Sequence, residues 1–410
     1  MSSLEAWLFR GGAAVLALHL VDEAAIDRAP GTGVDDHLSV LALAAVIVGV
    51  AVVYPRLPAV ARALLGFVVV PLTAVSAAMH VQDARWNGVG GADFTGFLLI
   101  PAVVAFAAAA VLAVLSRPPA GSWPWRIGRW ALTAVVGLVM LLFVSIPIAI
   151  GVAQTRKPGQ AIPEAAFSIP HETVTLHTRD GLDLSGWYVP SKNRAAIVVV
   201  QGGGGDRRGS RRHAAMLARY GYGVLLYDAR GRGESQGSPN AAGWTWQSDV
   251  DAALDFLSKR KDVDPNRIGG LGLSTGADVL LETAAKDPRL KAVVLDGSTA
   301  RSLGDVRHLS LGDQITGLPY WAVAYGTIAV LDQSLPGGPL IDLARKIAPK
   351  PALFIASNEL VEPVVAPKYA AAYGGPSALW RVDAGHTKGL AEHPQEYERR
   401  VDAFFDKALR

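Results

Sequence analysis

The sequence predicts a chain in two parts: an all-α transmembrane bundle, followed by an α/β domain with a mostly parallel sheet flanked by helices. Three observations carry this. Charge is unevenly spread: residues 1–153 hold 8 Arg, no Lys and 8 acidic residues, whereas 154–410 hold 31 basic and 28 acidic ones. The first part contains charge-free apolar runs of bilayer length. The second alternates short apolar runs with helical periodicities, the pattern of a sheet covered on both faces. Half of the chain is hydrophobic and only 18% is charged, which excludes a single soluble domain and a disordered chain. The net charge of +3 is dispersed and leaves no electrostatic footprint for nucleic acid. With no cysteine there is no disulfide, thiolate metal site or cysteine nucleophile.

In chain order, about five spans are predicted, at 4–21, 38–54, 60–81, 94–115 and 130–153. The second, fourth and fifth carry no charge; the third carries only Arg62 near its end. The first is the weakest, because Glu5, Arg10 and His19 lie in it. It lacks the basic leader and small-residue cleavage site of a signal peptide. The loop after the first span is acidic, with Asp22, Glu23, Asp27, Asp35 and Asp36 against Arg28, and the third loop holds Asp83, Arg85 and Asp93. Loops two (Arg56, Arg62) and four (Arg117, Arg126, Arg129) hold no acid. Arg-rich loops stay inside, so the C-terminal domain is expected outside the cytoplasm, in an integral membrane protein. Trp123, Trp125 and Trp130 suit an interfacial belt at the inner face.

Polar residues gather at the predicted outer ends of these spans. His19 and Asp22 lie three residues apart, as do His80 and Asp83, and such pairs share a helix face. His37 opens the second span and Asp93 the fourth. Imidazoles and carboxylates at one depth form either a metal or proton site or a plain interfacial polar network. The sequence leaves both open, and the expectation is that His19 and His80 converge.

Residues 154–170 read as a linker, with Pro158, Gly159, Pro163 and Pro170. Residues 171–410 form the α/β domain. Strands at 172–178 and 182–189 flank the Arg179-Asp180-Gly181 turn. A buried strand at 195–200 follows, then helix 210–220, strand 222–228, helix 244–259, strand 267–273, helix 275–286 and strand 291–296. Helix 341–347, strand 352–356, helix 367–373, strand 378–382 and helix 394–409 complete the series. An insertion of about 300–340 carries Leu309, Leu311, Ile315, Leu318, Tyr320, Trp321, Val323 and Tyr325. It is expected to cap an acyl pocket, with one more sheet-covering helix as the alternative.

Chemistry collects at the strand ends. Gly272-Leu273-Ser274-Thr275-Gly276 places a serine in G-x-S-x-G between a strand and a helix, where a sharp turn projects its oxygen. Val200-Gln201-Gly202-Gly203-Gly204-Gly205 follows the third strand, where a second oxyanion donor belongs. Val382-Asp383-Ala384-Gly385-His386 follows the last strand, giving the chain order Ser, acid, His. On these motifs, and on Tyr227-Asp228-Ala229-Arg230-Gly231-Arg232-Gly233-Glu234-Ser235, the domain resembles the α/β-hydrolase family. The resemblance implies Ser274 as nucleophile, His386 as base, and the N–H groups of Gly203 and Thr275 as the oxyanion hole. Gln201 departs from the histidine that many members carry there. The acid segment departs too: members typically read G-x-x-D-x-x-V-P, whereas this chain reads Ser357-Asn358-Glu359-Leu360-Val361-Glu362-Pro363. Counting back from the proline gives Glu359 as the acid, with Glu362 and Asp296 as alternatives. The expected function is a membrane-anchored serine hydrolase acting on a carboxylic ester or related acyl compound. Its partners would be a small acyl or lipid-like substrate and membrane lipid, and the serine chemistry calls for no cofactor and no metal. The competing reading is an idle hydrolase-like domain in a membrane sensor or interaction protein.

Overall fold

Each long apolar run of the first part forms a helix. In the computed structural model, which describes residues 2–87, 89–115, 123–156, 162–347 and 349–409, they are α1 (Ser3–Val21), α2 (Leu38–Val53), α3 (Ala59–Asn87), short α4 (Asp93–Phe97), α5 (Leu99–Leu115), α6 (Trp123–Met140) and α7 (Ile146–Thr155). Asp22–Ile26 extends α1 as a π-helical turn, and Leu141–Ser145 joins α6 to α7 in the same way. Five of the resulting helices are long and apolar enough to cross a membrane: Ser3–Ile26, Asp35–Arg56, Ala59–Arg85, Asp93–Leu115 and Trp123–Thr155. Val46, Val104, Leu132 and Val135 on them are more than half exposed, as side chains facing lipid would be. Glu5, which weakened the first predicted span, is buried and paired. Arg62 Nε donates to its Oε1 at 2.7 Å, and the Tyr54 hydroxyl donates to the same oxygen at 3.3 Å. Arg117 and, in the predicted linker, Lys157, Pro158 and Gly159 lie outside the described residues.

The second unit is built on an eight-stranded sheet: β1 (Glu172–His177), β2 (Asp183–Val189), β3 (Ala196–Val200), β4 (Gly223–Tyr227), β5 (Ile268–Leu273), β6 (Ala292–Asp296), β7 (Ala352–Ala356) and β8 (Ser377–Arg381). The order is β1-β2-β4-β3-β5-β6-β7-β8. β2 runs antiparallel to both of its neighbours, and every other pairing is parallel. The helices between strands are α8 (Arg211–Arg219), α9 (Gln247–Ser258), α10 (Thr275–Lys286), α11 (Leu303–Val306), α12 (Leu311–Leu331), α13 (Leu340–Ala344) and α14 (Glu362–Ala372), and α15 (Gly389–Glu392) and α16 (Pro394–Ala408) follow the last strand. The central strands are buried along their whole length, as a parallel sheet covered on both faces requires. Register places the site: Val200 pairs with Gly272, and Leu273 pairs with Asp296, so β3, β5 and β6 end side by side.

The insertion divides between the two units. Residues Pro319–Gln333, most of α12, group with the helical unit and not with the second unit. Leu331 packs on the cluster of Ala17, Leu20, Ala24, Val40 and Ala44. Gln333 Nε2 donates to the Asp35 and Asp36 carbonyls at 3.1 and 2.8 Å. A Cβ built on Gly151 would lie 2.6 Å from Thr327 Cβ, so the glycine permits close approach there. The cause is composition: 314–331 carries no charge, and such a segment buries its apolar face wherever helices offer one.

Candidate active site

β5 runs into Ser274, which adopts φ 53° and ψ −121° before α10 begins at Thr275. A positive φ strains a residue with a side chain, and such strain concentrates at functional turns. The neighbouring glycines are demanded by packing. A Cβ on Gly272 would lie 2.4 Å from the Gly276 carbonyl oxygen, and one on Gly276 would lie 2.2 Å from that of Val200. The Ser274 N–H donates to the Asp296 carbonyl at 2.8 Å, tying the elbow to the end of β6.

The glycine loop after β3 lies against this elbow. The Cβ position of Gly202 is 3.4 Å from Ser274 Cβ, and that of Gly203 is 2.8 Å from Thr275 Oγ1 and 2.2 Å from the Ala241 carbonyl oxygen. Gln201 clasps the loop, with Nε2 donating to the Gly205 carbonyl at 2.7 Å. The Thr275 hydroxyl donates to the Ala241 carbonyl at 2.9 Å, a contact that no sequence motif signalled.

His386 sits beyond β8. Its Nδ1 is 2.5 Å from Glu362 Oε1, and Glu362 is fully buried. The Glu362 carboxylate also accepts from the Ser357 N–H at 2.7 Å and from the Ser357 hydroxyl at 2.8 Å. Glu359, the acid expected from the proline count, instead accepts from the backbone N–H of His386 at 2.9 Å. The expected assignment is therefore corrected: the carboxylate at the imidazole is Glu362. The physical reason is that α14 begins five residues before the predicted 367, with Glu362 and Pro363 in its first turn. Leu360, at φ 56°, turns the preceding chain. Asp296, the other alternative, accepts from the Tyr397 hydroxyl at 2.8 Å. Burial pushes its carboxyl up to about 7.

The hydrogen bond to Glu362 raises the His386 imidazole above its ordinary 6.5, against the opposing effect of burial. A carboxylate only accepts, so Nδ1 carries the proton and Nε2 keeps the lone pair. The ring lies over Gly297, whose Cβ position is 3.0 Å from His386 Cε1. Ser274 and His386 thus both border the end of β6, through the Asp296 carbonyl and through Gly297.

The Asp228–Ser235 stretch has a supporting role. Arg207 pairs with Asp228 and Glu234, and Arg230 Nε donates to Asp249 at 2.8 Å while Nη1 donates to Asp180 at 2.7 Å. Gly233, at φ 50°, leaves room for the Asp228 carboxylate, which would lie 2.1 Å from a Cβ there. In the helical unit His19 and His80 do meet, with Nε2 atoms 3.2 Å apart. His37 is elsewhere, 3.0 Å from Thr32 Oγ1.

Residues 168–340 match the family described as X-Pro dipeptidyl-peptidase (S15 family). An uncharacterized protein of Mycobacterium tuberculosis is 37% identical over 131 residues, covering 31% of this chain and 46% of its own. A polyketide transferase of Penicillium is 27% identical over 201 residues, covering 45% of this chain and 65% of its own. The chain thus spans about half the length of the first of these relatives. Among solved structures, a hypothetical protein of Pseudomonas aeruginosa superposes with a TM-score of 0.51 at 22% identity. That match covers 62% of this chain and all of the other, and it shows a shared fold.

Proposed function

We propose, from the premise that the C-terminal unit is an α/β hydrolase, that it cleaves carboxylic esters or related acyl compounds through an acyl-enzyme on Ser274. The observation that carries this reading is the His386–Glu362 hydrogen bond beside a strained serine elbow. His386 Nε2 takes the Ser274 hydroxyl proton as Oγ bonds to the substrate carbonyl carbon. Glu362 holds the Nδ1–H tautomer and stabilises the imidazolium that forms. The N–H groups of Thr275 and Gly203 hold the oxyanion, each such donor contributing about 3 kcal/mol in the transition state. The imidazolium returns its proton to the leaving group, and water attacks the acyl-enzyme by the same route. The altered acid segment favours an idle domain, whereas a buried carboxylate on His386 Nδ1 supports an enzyme.

The helical unit serves as a multi-span anchor in this reading, and lipid-like acyl compounds are the substrates it would favour. Arg56, Arg117, Arg126 and Arg129 put the second and fourth loops in the cytoplasm and the hydrolase unit outside. A C-terminal alkaline phosphatase fusion should be active and a fluorescent protein fusion dark; the opposite pattern would reject that orientation. For the chemistry, a fluorophosphonate probe should label the full chain in detergent and fail on Ser274→Ala. Equal labelling of the two would remove Ser274 from the mechanism. An ester and a peptide bond share this acyl chemistry, and parallel assays with a short-chain aryl ester and an X-Pro anilide would rank them.

A further inference from the structure

Three side chains of the helical unit aim their acceptor atoms at one point. His19 is on α1, Glu23 lies one turn later in the π-helical turn, and His80 is on α3. The two Nε2 atoms are 3.2 Å apart. Glu23 Oε1 is 3.5 Å from His19 Nε2 and 3.4 Å from His80 Nε2. His19 is fully buried.

The other face of each ring fixes where the protons are. His80 Nδ1 is 3.0 Å from Asp93 Oδ1, and a carboxylate can only accept, so this nitrogen carries hydrogen. His19 Nδ1 is 3.0 Å from Thr95 Oγ1. Thr95 has one hydroxyl hydrogen, given to Asp22 Oδ2 at 2.6 Å, so it accepts from His19 Nδ1–H. The neutral rings therefore both present lone pairs at Nε2, and Glu23 presents a third. Lone pairs converging out of water repel one another unless positive charge lies between them. A histidine whose far nitrogen is held by a carboxylate, directly or through a hydroxyl, is the arrangement that orients metal ligands.

The spacing decides the kind of charge. Zinc bonds of about 2.0–2.1 Å in tetrahedral array put ligand atoms roughly 3.3–3.4 Å apart, and the three separations here are 3.2, 3.4 and 3.5 Å. Two imidazoles and one carboxylate form a zinc-type donor set with one position left for water. The Ser76 hydroxyl, 3.5 Å from His19 Nε2, stands beside that group. Gly96 lets α4 close over the site, since a Cβ there would lie 2.3 Å from His80 Cγ. We propose that His19, Glu23 and His80 bind one divalent metal ion of the zinc type, which pins α1 to α3. Its position is independent of the Ser274 chemistry.

The test is metal content of the full chain, purified in detergent without chelator and with a histidine-free affinity tag. About one zinc per chain is expected, one open tetrahedral site being present. Ser274→Ala should keep it, whereas His80→Ala and Glu23→Gln should lose most of it. Stripped wild-type protein titrated with Co(II) should develop the intense visible bands of four-coordinate cobalt, a readout that needs no variant to fold. Wild-type protein that is metal-free and silent with Co(II) would overturn the proposal in favour of a shared proton between the imidazoles. So would His80→Ala retaining as much zinc as wild type.

Discussion

The sharpest consequence of the geometry concerns two glutamates three residues apart. Glu362 meets His386 at the ring, 2.5 Å from Nδ1, and Glu359 meets it at the backbone N–H, 2.9 Å away. Glu362→Gln keeps the volume but removes the charge that stabilises imidazolium, and its amide can hold the wrong tautomer. Losing the acid of such a triad while its geometry persists lowers kcat by about ten-thousand-fold, or about 5.4 kcal/mol at about 1.36 kcal/mol per decade. Glu359→Gln retains an acceptor for the His386 N–H. At stake there is only part of a net hydrogen bond of about 0.5–1.5 kcal/mol, so kcat should fall by less than about tenfold. Glu362 also anchors Ser357 through two hydrogen bonds, so loop loosening must be separated from loss of the acid. Ser357→Ala removes one of those bonds without touching the imidazole, and should also cost less than about tenfold. The assay is aryl-ester turnover by the full chain in detergent, with burst amplitude reporting the active fraction. A fall for Glu359→Gln as large as that for Glu362→Gln would refute the assignment.

The raised imidazole pKa makes the base form of His386 available only above its ordinary 6.5, so the acid limb of kcat/KM should lie above that value. Glu362→Gln should move the limb to lower pH and Glu359→Gln should leave it in place. Asp296 keeps its proton up to about 7 in the folded chain against 3.8 ordinarily; its contribution is full below 3.8 and is lost as pH rises to about 7. At about 1.36 kcal/mol per unit that is a few kcal/mol, so Asp296→Asn, which keeps an acceptor for Tyr397, should raise the melting temperature at pH 8 and not at pH 4. Glu5→Ala strands Arg62 among the helices at a cost of about 3–5 kcal/mol. Adding Arg62→Leu should recover most of the lost thermal stability in detergent, and a double variant no better than the single one would reject the pairing.

What could be read from the sequence follows how local its cause is. Ser274 was legible because Gly272 and Gly276 flank it within one turn, and the close contacts of those glycines are with the elbow and the adjoining strand end. His386 was legible from chain order. Glu362 was not, because its role depends on where α14 starts and on Leu360 turning through a positive φ, which a count of residues does not contain. The meeting of His19 and His80 followed from their matching places on two helices. The third donor was missed because Asp22, three residues on, turns to Thr95, while Glu23, four residues on, faces the imidazoles. The place of α12 was not legible because its partners are remote in sequence: Thr327 approaches Gly151, and Leu331 packs on Ala17, Leu20 and Ala44.

The two polar groups of the helical unit, taken together, explain why α1 can be the least apolar of the five helices. Glu5 at its start pairs with Arg62 near the start of α3, and His19 near its end meets His80 near the end of α3. Contacts in the same order along both helices make them parallel, so α2 must run back between them. Fourteen residues of α1 separate one fastening from the other, about 21 Å at 1.5 Å per residue, most of the thickness of a bilayer core. α1 is also the most enclosed, with 44% of its apolar window buried against 22–28% for the other four. A helix enclosed by protein can hold Glu5 and His19 because their partners come from α3, whereas a lipid-facing helix would leave them without partners. Glu5 and His19, two of the residues that weakened α1 as a span in the sequence, are thus the groups that set its direction beside α3 in the fold.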